Sequence, residues 1–153
     1  MMQWRKWCVT GVLALGVVAV LWMEPLQARS GFSQRSVKGT YGIFFAGQSV
    51  PSLQPESGTG VITADGKGNL TGVETYNLGT QVCENIVLKG TYTVDATTGT
   101  GKLTAESEGV SGPCSFSFNA SFVILKGGAL LRLASTDPGF VIISEEWRRR
   151  SGD

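Results

Sequence analysis

Carboxylates are the main side chains in this sequence that could do chemistry, because the chain contains no histidine. The absence of histidine excludes Ser-His-Asp and Cys-His nucleophile systems and removes the commonest ligand of transition metals. The glycines lie in hairpin-type turns that no helix follows, so no phosphate-binding glycine motif is present. We therefore expect no hydrolase, kinase or dinucleotide-dependent activity, no metal site and no cofactor.

Glu74 is the single candidate for acid–base chemistry, and no other residue is predicted to be catalytic. It shares strand parity with Tyr76. If that face points inward, a buried carboxyl lies beside a phenol, and its raised pKa would suit proton transfer of the cyclase or isomerase kind. Val73 has the opposite parity, and a one-residue shift of register places Glu74 in water. We expect the hydrated arrangement, with the inward one as the alternative.

Two tyrosines and an arginine complete the candidate side chains. Tyr41 and Tyr92 occupy equivalent positions of an internal repeat, on apolar faces that favour a core role. Arg132 lies between two leucines, which predicts an outward side chain; the alternative is a barrel-mouth arginine that meets Glu74 or Glu146 and binds an anionic ligand. If the interior is hollow, the predicted ligand-binding residues are Tyr41, Glu74, Tyr76 and Arg132.

The cysteines indicate an oxidising compartment. Cys83 and Cys114 are the only cysteines after Cys8, and such a pair is expected to form a disulfide. Closing a loop of about 30 residues would stabilise the fold by about 3.5–4 kcal/mol. A redox or metal-binding pair is the alternative, which the wide spacing and the lack of histidine disfavour.

Residues 1–28 have the pattern of a signal peptide. Arg5 and Lys6 precede an uncharged run from Cys8 to Trp22, and Ala28 offers a small residue for cleavage. An uncleaved membrane anchor is the alternative. No later segment is apolar for long enough to span a bilayer. We expect export to the periplasm or the extracellular space.

The remaining chain predicts one neutral domain. Residues 29–153 are enough for one core, and they carry equal numbers of acidic and basic side chains. A neutral domain has no general attraction to nucleic acid or anionic membranes. We expect a flexible segment at 29–36, a β-barrel domain at 37–148 and a solvated charged tail at 149–153.

Short runs of alternating hydrophobicity, separated by turn residues, predict an all-β domain without helices. Closing the sheet would remove its exposed edges, so we predict an eight-stranded antiparallel up-and-down barrel with one disulfide. A two-sheet β-sandwich is the alternative. The predicted strands cover residues 37–47, 58–65, 69–78, 86–95, 100–108, 114–126, 129–136 and 140–148.

The sequence repeats itself and resembles a known group. Lys38-Gly39-Thr40-Tyr41 recurs as Lys89-Gly90-Thr91-Tyr92, and the segment at 58–64 recurs at 99–105. These motifs, with 64–72 between them, resemble a group of uncharacterised exported bacterial proteins. The resemblance implies a small barrel akin to the calycin or allene oxide cyclase type, and it brings no assigned activity.

The sequence is compatible with three functions. The leading expectation is a non-catalytic exported barrel that holds a small apolar ligand or presents its loops to a partner. A cyclase or isomerase that uses Glu74 is the second. A structural or surface module that acts through its outer face is the third, and it predicts an exposed apolar patch.

Overall fold

Eight antiparallel strands account for most of the residues that the computed structural model describes, which are 31–50, 52–138 and 140–151. Each strand pairs with the next along the chain, and the first pairs with the last, so the sheet closes into a barrel. The predicted barrel is therefore confirmed, and the two-sheet sandwich is excluded. The strands are β1 (Gly39–Ser49), β2 (Pro55–Ala64), β3 (Asn69–Asn77), β4 (Val82–Val94), β5 (Thr100–Ser107), β6 (Ser117–Leu125), β7 (Leu130–Ser135) and β8 (Phe140–Arg149).

The predicted signal peptide, residues 1–28, lies outside the described residues. Within the described ranges, no helix has the length and apolar character needed to cross a bilayer.

Aspartates close two of the hairpin turns, which explains why these turns form where the sequence predicts them. Asp65 Oδ1 accepts hydrogen bonds from the backbone N–H groups of Lys67 and Asn69 at 2.6 and 3.0 Å. Asp95 Oδ1 accepts from the two residues that follow Ala96 in the same way. Such local bonds stabilise a turn before any tertiary contact exists.

Three strands begin three or four residues from their predicted starts: β2 begins at Pro55 instead of 58, and the other two, β4 and β6, lie next to the cysteine pair. β6 begins at Ser117 instead of 114, since Gly112–Cys114 forms a 3-10 turn. The predicted Cys83–Cys114 disulfide is present, with a Cα–Cα distance of 5.7 Å. β4 begins at Val82, and a bulge lets both Cys83 and Ile86 point inward while the two residues between them are exposed.

A short 3-10 turn, Gln34–Val37, plugs one end of the barrel. Val37 is almost fully buried there. The Tyr41 hydroxyl oxygen lies 3.0 Å from the Val37 carbonyl oxygen, and the Tyr92 hydroxyl donates to the Gln34 carbonyl at 3.0 Å. The two repeat tyrosines, one on β1 and the other on β4, therefore both hydrogen-bond to the backbone of the plug. The structure thus folds the end of the segment expected to be flexible, 29–36, into this plug.

Arg149 fastens the same end from the last strand. Its Nη2 donates to the Ser36 carbonyl at 3.2 Å and to the Tyr41 hydroxyl at 3.0 Å, and its guanidinium lies 5.5 Å from the Tyr41 ring centre. β8 therefore extends one residue into the predicted charged tail. Gly39, at φ +142°, leaves room for this arginine, since a Cβ there would lie 2.8 Å from Arg149 Nε.

Candidate functional site

The half of the barrel away from the plug contains a cavity of about 280 Å³. Apolar side chains form most of its wall, and exposed residues such as Pro113 and Ser117 bring it to the surface. Its lining consists of Ile43, Phe45, Glu56, Ile62, Glu74, Tyr76, Leu78, Leu88, Leu103, Ala105, Pro113, Phe116, Ser117, Phe118, Asp137, Phe140, Glu145 and Trp147.

Unequal filling of the two halves explains why only one is hollow. Tyr41, Phe122 and Leu131 are buried and occupy the interior towards the plug. In the other half, the inward positions of β2 include Gly58 and Gly60, which place no side chain in the interior. The same alternation of inward residues therefore yields a packed end and a hollow end.

Glu74 points into this cavity, so the expectation of a hydrated Glu74 is wrong. Its exposure is 7 %, whereas its neighbour Val73 is 43 % exposed on the outer face. Gly60 lies directly opposite Glu74 in the sheet, and a Cβ at Gly60 would come within 2.7 Å of the Glu74 Cβ. Burial raises the pKa of Glu74 to about 7.

Glu145 is a second buried carboxyl in the same cavity, and it is not among the residues predicted from the sequence. It is 6 % exposed, and its Oε1 accepts a hydrogen bond from Trp147 Nε1 at 2.7 Å. Burial, together with repulsion from Glu74, raises the pKa of Glu145 to about 7. The available signal was parity, since Glu145 shares its strand face with Trp147, the kind of residue that a barrel buries.

Strand register places the two carboxyls in neighbouring inward rows. Glu145 on β8 pairs with Phe45 on β1, and Phe45 pairs with Gly58 on β2. The adjacent row runs from Trp147 to Glu74 by way of Ile43 and Gly60, which are paired in the same manner. Glycines therefore occupy the β2 position of both rows, whereas Phe45 and Ile43 occupy the β1 positions, and the Phe45 ring lies over Gly58.

Tyr76 connects the cavity wall to the loop that carries the disulfide. Its hydroxyl donates to the Cys114 carbonyl at 2.7 Å, and its ring meets Phe116 edge to face at 5.4 Å between centres. Burial, with the nearby charges of Glu74 and Glu56, raises the pKa of Tyr76 to about 12. Tyr76 therefore acts as a neutral hydrogen-bond donor that positions the loop at 108–116, here called the mouth loop.

The other two predicted ligand-binding residues lie away from the cavity. Tyr41 is fully buried at the plugged end and does not line the hollow half. Arg132 is 56 % exposed on the outer face, where its Nη2 pairs with Glu146 Oε2 at 2.8 Å. Strand parity explains this outer ion pair, because Arg132 alternates with inward leucines and Glu146 alternates with inward Glu145. Of the predicted set, the structure brings Glu74 and Tyr76 together and leaves Tyr41 and Arg132 outside.

The cavity is acidic as well as apolar. Glu56 and Asp137 join Glu74 and Glu145 in its lining, and no lysine or arginine is found among the described lining residues. Partial burial raises the pKa of Glu56, while a hydrogen bond from Ser49 opposes the shift. No group of three or more metal-ligating side chains occurs in the part of the chain that the structure describes.

A smaller apolar feature lies on the outer face. Val61, Val73 and Val87 are paired across β2, β3 and β4, and each is more than a third exposed. These three partly exposed side chains form a narrow apolar stripe one residue wide on each strand.

Comparison with known proteins provides no indication of function, so the functional argument depends on the cavity. No family model, curated protein or solved structure matches this chain.

Proposed function

We propose that this chain is an exported, non-catalytic barrel that binds a small, mainly apolar molecule in its hollow half. The cavity of about 280 Å³ carries the proposal. Its size approaches the usual range of ligand pockets, and apolar walls with a few polar groups are typical of such pockets. At roughly 30 Å³ per water of liquid volume, it would hold a molecule of about ten non-hydrogen atoms.

The way the barrel is built supports a permanent pocket. Each strand pairs with the next around the closed sheet, the plug closes one end, and the disulfide holds the mouth loop to β4. The wall is therefore rigid before any ligand arrives, which lowers the entropic cost of binding. Export is part of the proposal, and the Cys83–Cys114 disulfide supports it because such bonds persist in oxidising compartments.

Calorimetric titration with phenethyl alcohol, a neutral probe of about the right size, tests the binding proposal. Ala105 lines the cavity, so Ala105→Leu fills part of it and should weaken binding at least about tenfold, because overlap of side chain and ligand costs over 1.4 kcal/mol. Ala134 is exposed on β7, so Ala134→Leu makes the same change outside the barrel and should leave binding unchanged. Equal affinity in all three proteins would contradict binding in the cavity. Native mass spectrometry of protein purified from its source would identify a natural ligand.

A cyclase or isomerase is the second candidate function, and the inward Glu74 favours it. A carboxyl with a pKa of about 7 exchanges protons readily at neutral pH. In heavy water, this candidate predicts deuterium incorporation next to the carbonyl of a small ketone such as phenylacetone. Glu74→Gln should abolish the exchange, and a rate unaffected by that substitution would remove the candidate.

A further inference from the structure

One oxygen of Glu145 has no partner although it is buried. Oε1 accepts from Trp147, whereas Oε2 is inaccessible to solvent and receives no hydrogen bond from any described residue. Glu145 as a whole is more than nine-tenths buried, and it lines the cavity. Buried carboxylate oxygens usually have a donor, since an unpaired one carries its full cost of desolvation.

The surroundings supply no positive charge to pair with it. Glu74 is similarly buried, and none of the hydrogen bonds among the described residues involves its carboxyl. The arginines of β8 point elsewhere: Arg148 pairs with Glu146 on the outer face, and Arg149 contacts Tyr41 at the plugged end. Two desolvated carboxyls therefore share one cavity with no lysine or arginine among its described lining residues.

The aromatic wall would also suit a cation. Trp147, Phe45 and Phe116 line the same space as the two glutamates. The faces of aromatic rings attract cations, and the attraction grows when water is excluded.

We propose that the ligand of this cavity is a small apolar amine whose ammonium group binds between Glu145 and Glu74 while its body contacts the aromatic wall. This inference rests on the proposed function and specifies its ligand class. An ammonium group brings up to three N–H donors and one positive charge. The two carboxyls have no cation among the described lining residues, and Glu145 Oε2, which solvent does not reach in this structure, would meet an N–H donor once the carboxyl turns toward the cavity. A carboxylate-bearing ligand would place a third negative group beside them, and a neutral alcohol would supply a donor without the charge.

Three probes of similar size separate these cases: phenethylamine, phenethyl alcohol and phenylacetate. At about pH 8.5, where both glutamates are mainly ionised, we expect phenethylamine to bind about 10- to 100-fold more tightly than phenethyl alcohol, because hydrogen bonds to charged groups are the stronger kind. Phenylacetate should bind most weakly. Calorimetry on the whole protein measures all three affinities.

The preference for the amine should fall as the pH is lowered. The titratable groups that face the cavity are Glu56, Glu74, Tyr76, Asp137 and Glu145. Between about pH 8.5 and pH 5, Glu74 and Glu145 gain protons, whereas an aliphatic amine with a pKa of about 10 stays charged. We expect the amine to lose most of its advantage at pH 5, while the affinity for the alcohol changes little.

Glu145→Gln and Glu146→Gln form a matched pair of variants, since adjacent residues on opposite faces of β8 lose the same charge. Glu145→Gln should weaken phenethylamine at least about tenfold at pH 8.5 and change phenethyl alcohol less than about threefold. Glu146→Gln should change neither. Glu74→Gln provides a second inward test with the same expected result, should Glu145→Gln fail to fold.

The outcomes separate the two proposals. If phenethyl alcohol binds as tightly as phenethylamine at pH 8.5, or if phenylacetate binds best, the amine inference is overturned and the binding function stands. If none of the three probes binds, the binding function fails and the inference falls with it. An amine preference that survives both inward substitutions would also overturn the inference.

Discussion

The two buried glutamates predict that this protein is less stable at alkaline pH than at mildly acidic pH. Burial raises the pKa of each carboxyl from its ordinary value near 4.5 to about 7. Between these values the folded protein holds protons that the unfolded chain releases. The free energy of unfolding therefore falls as the pH rises through this window.

The structure sets the size of the effect. At about 1.4 kcal/mol per pH unit, the difference between 4.5 and about 7 costs about 3 kcal/mol for Glu145 once the pH exceeds 7. Domains of this size are stable by about 5–15 kcal/mol, so the loss is a large fraction of the total. The carboxyls with lowered pKa values, Asp65, Asp95 and Glu146, titrate below this window and act in the opposite direction.

Glu145→Gln is the perturbation that isolates the effect. The amide oxygen still accepts the hydrogen bond from Trp147 Nε1, but the side chain no longer ionises. We expect the variant to exceed the wild-type free energy of unfolding by about 1.4 kcal/mol at pH 5.5, one pH unit above the unfolded pKa, and by about 3 kcal/mol at pH 8.5. Glu146→Gln, on the outer face, should leave the pH dependence of the wild type unchanged above pH 5.5.

Urea unfolding followed by circular dichroism, repeated from about pH 5 to pH 9, measures this difference. Equal m-values across the series would show that stability alone has changed. A wild-type free energy of unfolding that stays constant from pH 5.5 to pH 8.5 would refute the reasoning. A Glu145→Gln profile parallel to that of the wild type would do the same.

Three further predictions concern the frame around the site. Replacing Cys83 and Cys114 by serine should lower the free energy of unfolding by about 3.5–4 kcal/mol, measured in urea, because the unfolded chain regains the entropy of the open loop. Gly60→Ala should destabilise by about 1–3 kcal/mol because its Cβ has no room, whereas Gly42→Ala, with open space around it, should lie within about 0.5 kcal/mol of the wild type in the same assay. Tyr41→Phe should lower the melting temperature, since losing one hydroxyl that bonds the plug costs about 1–3 kcal/mol.

Each of these has a contrary result. Serine variants that unfold at the wild-type urea midpoint would show that the disulfide adds nothing to stability. Equal effects of Gly60→Ala and Gly42→Ala would contradict the tight inward contact at Gly60. An unchanged melting temperature for Tyr41→Phe would mean that the hydroxyl does not stabilise the plug.

The sequence was sufficient to predict the features that depend on local physics. The alternation of side chains follows from strand geometry, and it correctly assigned Tyr41 to the core and Arg132 to the outer face. Turn residues such as Asp65 accept hydrogen bonds from backbone groups a few residues away, so the positions of the turns could also be predicted from the sequence. The disulfide between Cys83 and Cys114 could be predicted because two cysteines in an oxidising compartment are expected to pair.

Tertiary structure decided what depends on closure and on volume. Glu74 points inward because Gly60, on the neighbouring strand, leaves the space for it, and only the register of β2 against β3 reveals this pairing. Glu145 comes from the other end of the chain and lines the same cavity as Glu74 because β8 closes on β1. A hollow and a filled barrel share the same alternation of side chains. The cavity with its two glutamates therefore arises from side-chain volumes summed over all eight strands, which no single segment of sequence encodes.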